Sequence, residues 1–160
     1  MSATTTELLQ IEIARTVLID RNQQLLESIV DLDHDTYNSL CADDISCIEP
    51  ETNHNVVIGK NFHEYYFDVF SSNDDDSAAT SKKTHHINVT MVQPHVQWIN
   101  GNGSCDKKFQ PTGAVLSYVK LVQQTTVGKA PVTTQQSETR VWEIRNGEWV
   151  NIHFHKSPVR

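Results

Sequence analysis

Two histidines two residues apart, His153 and His155 in "HFHKS", and three cations, Lys120, Arg140 and Lys156, have the types and spacing from which chemistry is built. On a strand, an H-x-H pair puts both imidazoles on one face roughly 7 Å apart, a separation two ligands of one metal can have. No third ligand is implied. His85 and His86 are adjacent and point to opposite faces, and His95 lies beyond Pro94. No G-x-S-x-G, HExxH or phosphate-binding glycine loop occurs, so neither a metal nor a cofactor is expected.

The cations give a different signal. Side chains alternate across a strand, so parity sorts them into faces. Lys156 goes with Val150, Ile152 and Phe154, Arg140 with Trp142 and Ile144, and Lys120 with Leu116, Tyr118 and Val122. Each cation thus lies on an apolar, inward face. One reading is that each sits at a strand end and snorkels to water. The other is a cavity that accepts a small carboxylate, because like charges converging in a pocket destabilise the fold unless an anion neutralises them. Glu49 is a candidate internal counter-ion. His63 and Tyr66, on an aromatic helix stripe, are candidate cavity contacts, and His63 also reads as a hydrogen-bonded core histidine. Pairing Glu49 or His63 with the cavity as a general base gives an enzymatic alternative, a carbon-acid enzyme. On the opposite parity, Val115, Val119, Leu121, Val141 and Trp149, with His153, form an outer face. Its apolar members either call for a partner or are scattered and half-covered by neighbours.

The elements that must position these residues follow from the chain. Its 160 residues suit one domain burying about 70% of the unfolded surface. No apolar run approaches the roughly 20 residues of a membrane helix, and the first eighteen residues lack a secretory pattern. Cys41, Cys47 and Cys105 form no CxxC pair and cannot all be paired, which favours a reducing, cytoplasmic setting. "NVT" at Asn88 and "NGS" at Asn102 match a glycosylation pattern that means little without secretion. A net charge of −7 opposes nucleic acid and anionic membranes as partners.

From Glu7 to Val30, Ile11, Ala14, Leu18, Leu25 and Ile29 recur at helical spacing with Asn22 as the polar break. A turn and short helix follow, then the brief strand "ISCIEPE" stopped by Pro50. A second aromatic helix places Phe62, His63, Tyr66, Phe67 and Phe70 on one stripe. The polar runs 71–83 and 101–112 read as mobile loops. Four β-rich stretches complete the chain, two of them joined by the hairpin signal Asn146-Gly147. In the first of the four, apolar parity switches at Pro94, which predicts a bulge that bends the sheet. Helices followed by an antiparallel meander make an α+β layout in which a curved sheet wraps the long first helix.

In this order, "IEPE" (48–51), "NFHEYYF" (61–67), "QPHVQW" (93–98), "SYVKL" (117–121), "QQSETRVW" (135–142) and "NGEWVNIHFHKS" (146–157) resemble the association domain of calcium/calmodulin-dependent protein kinase II. The likeness runs from about Arg15 to Ser157, with 1–14 as an extension opening the first helix and 15–158 as one domain. It implies the cone of the nuclear transport factor 2-like fold. It also implies a non-catalytic hub that pairs into dimers and closes into a two-layered ring. The family's cavity arginines fall on Lys120, Arg140 and Lys156, and its cavity histidine on His63; in animal members they hold small carboxylates. Two of those arginines are lysines here, which keep the charge and lose the bidentate fork. A family tryptophan falls on Ser71. With only about fourteen residues before the likeness begins, the expectation is a hub without a kinase domain or calmodulin-binding segment. Its partners would be copies of itself and, through a similar hub, a full-length kinase. An enzyme of the same cone fold, like ketosteroid isomerases or polyketide cyclases, is the alternative.

Overall fold

The computed structural model describes residues 5–72, 85–100 and 109–158. Helix α1 (Thr5–Asp31) buries Leu18, Asn22, Leu25 and Leu26, the spacing that keeps one stripe against a neighbour. It stops where Leu32 turns left-handed, at φ 57°, and the Asp33 N–H returns 2.8 Å to the Ser28 carbonyl. The Asp33 carboxylate then accepts the Thr36 N–H at 3.0 Å and caps α2 (His34–Leu40). Next come β1 (Cys41–Ile48), a 3-10 turn at Pro50–Thr52, β2 (Val57–Ile58) and α3 (Asn61–Ser72). The chain ends in β3 (His85–Asn100), β4 (Pro111–Thr126), β5 (Val132–Arg145) and β6 (Glu148–Pro158).

The three helices and strands β1 and β3 to β6 match the expected elements, with adjusted borders, while the 3-10 turn and β2 were not expected. β1 starts earlier than read, at Cys41. The run read as a loop from 71 opens with the last turn of α3, and its part from 73 lies outside the described residues. Of the loop 101–112, residues 101–108 lie outside them, and Pro111 and Thr112 belong to β4. Among the described residues, no helix is long and apolar enough to cross a membrane.

Among the described residues, six strands form one curved sheet in the order β2-β1-β6-β5-β4-β3. The last four are the antiparallel meander, while β1 joins β6 in parallel. Asn146 and Gly147, at φ 52° and 85°, form the β5–β6 turn that the Asn-Gly pair signals. At Pro94 the expected bulge is present: Val92 pairs with Val119 and His95 with Ser117, so Gln93 and Pro94 together oppose Tyr118. The inward residues change there from Val89 and Met91 to Val96 and Trp98.

A second bulge carries no such sequence signal. Val141 pairs with His153 but Trp142 with Asn151, leaving Ile152 as the extra residue of β6. It reverses parity upstream and corrects the sequence reading. Asn151 is fully buried on the inner face, and Trp149 also turns inward, its ring 6.1 Å from that of Trp98. Val150, expected inside, pairs with Glu143 on the other side.

Asn22, the polar break in α1, is fully buried. Its Oδ1 accepts the Trp142 Nε1–H at 3.3 Å and its Nδ2 donates to Met91 Sδ at 2.9 Å. A buried amide is tolerated only when paired, so these contacts fix α1 against the inner face of the sheet. Gly113 lets β4 and β5 approach closely: a Cβ there would lie 2.8 Å from the Trp142 carbonyl oxygen, a backbone atom. Gly113→Ala is therefore expected to lower unfolding stability by about 1–3 kcal/mol in urea titrations; an unchanged midpoint contradicts this close approach.

Candidate functional site: a cavity lined by paired charges

Between α3 and the inner face of β4, β5 and β6 lies a cavity of about 340 Å³. It is lined by all six residues expected there: Glu49, His63, Tyr66, Lys120, Arg140 and Lys156. That size is at the lower end for small-molecule sites. α3 presents one aromatic wall, with Phe62 edge-on to Tyr66 and His63 5.3 Å from Phe154. Phe67 closes the wall against Tyr37 at 5.1 Å.

Glu138, which the sequence reading passed over, organises the inner end. It shares parity with Arg140 on β5, both are 2% exposed, and its Oε2 lies 3.2 Å from Arg140 Nη2. Tyr118 Oη donates to Glu138 Oε2 at 2.6 Å, and Lys120 Nζ forms an ion pair with Oε1. Arg140 donates from Nε to Tyr118 Oη and from Nη1 to Asn151 Oδ1, each at 3.0 Å, and lies over the Phe154 ring at 4.6 Å. Burial alone would raise the Glu138 carboxyl, but Arg140 and Lys120 reverse this and hold it down at about 2. For Lys120 burial prevails over Glu138 and lowers the ammonium.

The outer end repeats the pattern. Glu49, 3% exposed, lies 3.0 Å from His63 Nε2 and 2.9 Å from Lys156 Nζ, which also reaches Glu51 at 3.0 Å. Burial opposes the charge on Glu49, yet His63 and Lys156 lower its carboxyl below the ordinary range. Lys156 is raised, since Glu49 and Glu51 outweigh its burial. Three cations thus face three carboxylates, and the anion that converging cations require is supplied by the chain itself. Parity with Arg140 was the signal that pointed to Glu138.

The outer face divides. Val115 and Val141 pair directly across β4 and β5, Val119 and Leu121 continue the row on β4, and all four are half-buried. Val92 on β3, missed in the sequence, pairs with Val119 and extends the row. Trp149 is on the inner face and leaves the set. His153 is on the outer face, its Nδ1 2.8 Å from Ser46 Oγ, and burial with His155 nearby lowers its pKa. Among the described residues, the three-residue grouping with metal-ligand chemistry is not the histidine pair but Cys47, Glu49 and His63.

The family model of the calcium/calmodulin-dependent protein kinase II association domain matches residues 14–160. The chain belongs to that family. It is 31% identical over 156 residues to the kinase's type II subunit delta from Oryctolagus cuniculus, covering 98% of this chain and 26% of that one. The chain therefore spans about a quarter of that relative. The hub homology domain from Chlamydomonas reinhardtii superposes with a TM-score of 0.72 at 37% identity, covering 92% of this chain and 99% of that one. The Caenorhabditis elegans association domain gives 0.69 at 30%, covering 96% and 99%. Nuclear transport factor 2-like proteins at 13–18% identity share the fold alone.

A carboxylate whose folded pKa is depressed adds stability above its unfolded pKa and loses it as pH falls through the folded one. Glu138 is worth roughly 3 kcal/mol on this basis, lost between its ordinary 4.5 and about 2. Urea titrations from pH 7 to pH 2 are expected to show that loss in the wild type. Glu138→Gln, already weaker by a similar amount at pH 7, is expected to show a flatter acid limb. Equal acid sensitivity in both proteins would remove Glu138 from this role.

Proposed function

We propose that this chain is a non-catalytic oligomerisation hub that pairs into dimers and closes into a two-layered ring. The observation that carries the reading is the row of Val92, Val115, Val119, Leu121 and Val141 on the outer face of a sheet whose inner face already holds the core and the cavity. Membership of an association-domain family supports it. A longer kinase chain bearing a similar hub is the proposed second partner, and a cytoplasmic setting fits the free buried thiols Cys41 and Cys47. Native mass spectrometry at micromolar concentration is expected to show discrete assemblies. Val119→Asp should shift them to smaller species while circular dichroism stays the same, and a monomeric wild type would sink the proposal.

The cone-fold enzyme is the weaker reading. A general base works best with a pKa near the operating pH. Glu49 and Glu138, the buried carboxylates of the cavity, are both held below the ordinary range by cations.

The hub reading includes a small carboxylate at the Lys120–Lys156 rim, where side-chain exposures of 15% and 13% leave both ammonium groups within reach of solvent. The cavity volume supports it, and Glu51 and Glu138 compete with it. Calorimetry with short hydroxy acids is expected to give weak binding that tightens in Glu51→Gln, which frees one bond of Lys156, and weakens in Arg140→Ala. Absence of heat with every candidate in both the wild type and Glu51→Gln retires the ligand and leaves the hub standing.

A further inference from the structure

Cys47 and Glu49 leave the end of β1 two residues apart with the same parity, and the first turn of α3 brings His63 across to them. Their ligand atoms all lie within 4.8 Å of one another. The Cys47 thiol is free and 1% exposed, and His63 Nδ1 is buried with no hydrogen-bond partner. Thiol, imidazole and carboxylate together are the donor set of a borderline-soft divalent cation. We infer that Cys47, Glu49 and His63 form a three-ligand binding site for zinc or a similar divalent cation at the wall of the cavity, its fourth position open to water.

Tetrahedral ligands at zinc bond lengths stand about 3.5 Å apart, so the three side chains need close by only about 1 Å. Glu49 can turn to the metal because its partner Lys156 retains Glu51 at 3.0 Å. The metal–sulfur bond forms as the thiol proton leaves to solvent. The site then gains two positive charges and loses one proton, a net change of +1 among charges that were balanced. That limit on affinity separates it from a closed four-ligand structural site.

Cobalt(II), a zinc surrogate that absorbs, tests this on the full chain after chelation. One ion per chain should bind with a near-ultraviolet thiolate-to-metal charge-transfer band, and zinc should abolish that band. Cys47→Ser should remove the band and Cys41→Ser keep it. His63→Ala or Glu49→Gln should weaken binding by roughly tenfold or more, and His153→Ala should leave it unchanged. No band in the wild type overturns the site without recourse to any variant, and so does a band that survives Cys47→Ser in a folded protein.

Discussion

The buried pairing of Glu138 with Arg140 is the constraint around which the inner face is arranged. A lone charge at either position would cost several kcal/mol, and the pair is tolerated only with its remaining lone pairs and protons satisfied. Tyr118, Lys120 and Asn151 supply those contacts from the strands on either side of β5. The register of β4, β5 and β6 is thereby fixed by hydrogen bonds with defined directions as well as by apolar packing, which has none. A slip of β5 by one residue would move both charges to the outer face and Val141 to the inside.

The bulge at Ile152 belongs to the same constraint. Without it, the alternation of β6 would carry Ile152 inward and Asn151 outward. Arg140 would lose the Oδ1 that receives Nη1, and Asn151 the two carbonyls, of Val141 and His153, to which its amide donates. The extra residue lets β6 present Phe154 and Lys156 to the cavity at one end and Asn151 and Trp149 to the core at the other.

This explains which parts of the molecule were legible in the sequence. Helix α1, the aromatic helix and the hairpin at Asn146-Gly147 are written in periodicity and turn chemistry, which are local. The Pro94 bulge was legible because proline lacks the donor a ladder needs, and β3 is an edge strand that tolerates the loss. The Ile152 bulge is created by Arg140 and Trp142 on the neighbouring strand, so nothing within β6 announces it, and Trp149 was assigned to the wrong face. Strand parity pointed to Lys120, Arg140 and Lys156, the helix stripe to His63 and Tyr66, and the end of a strand to Glu49. Glu138 has the parity of Arg140, but parity assigns a face and does not say which charges on it pair. The parallel pairing of β1 with β6 joins residues about a hundred positions apart, beyond the reach of any local pattern.

The edges of the sheet bear on how copies would meet. At one end β2 is two residues long and offers almost no ladder. At the other, β3 is long enough to recruit a strand from a second molecule, the usual hazard of an exposed edge. Its middle carries Gln93 at φ 52° and Pro94, which has no N–H, so a continuous ladder cannot form across it. Edge-to-edge addition along the whole of β3 is therefore interrupted at the strand best placed for it. The apolar row on the outer face remains as the larger surface from which water can be removed, and burial of a face is less demanding of register than a ladder. Face-to-face association is thus the geometry that the edges of this sheet leave open.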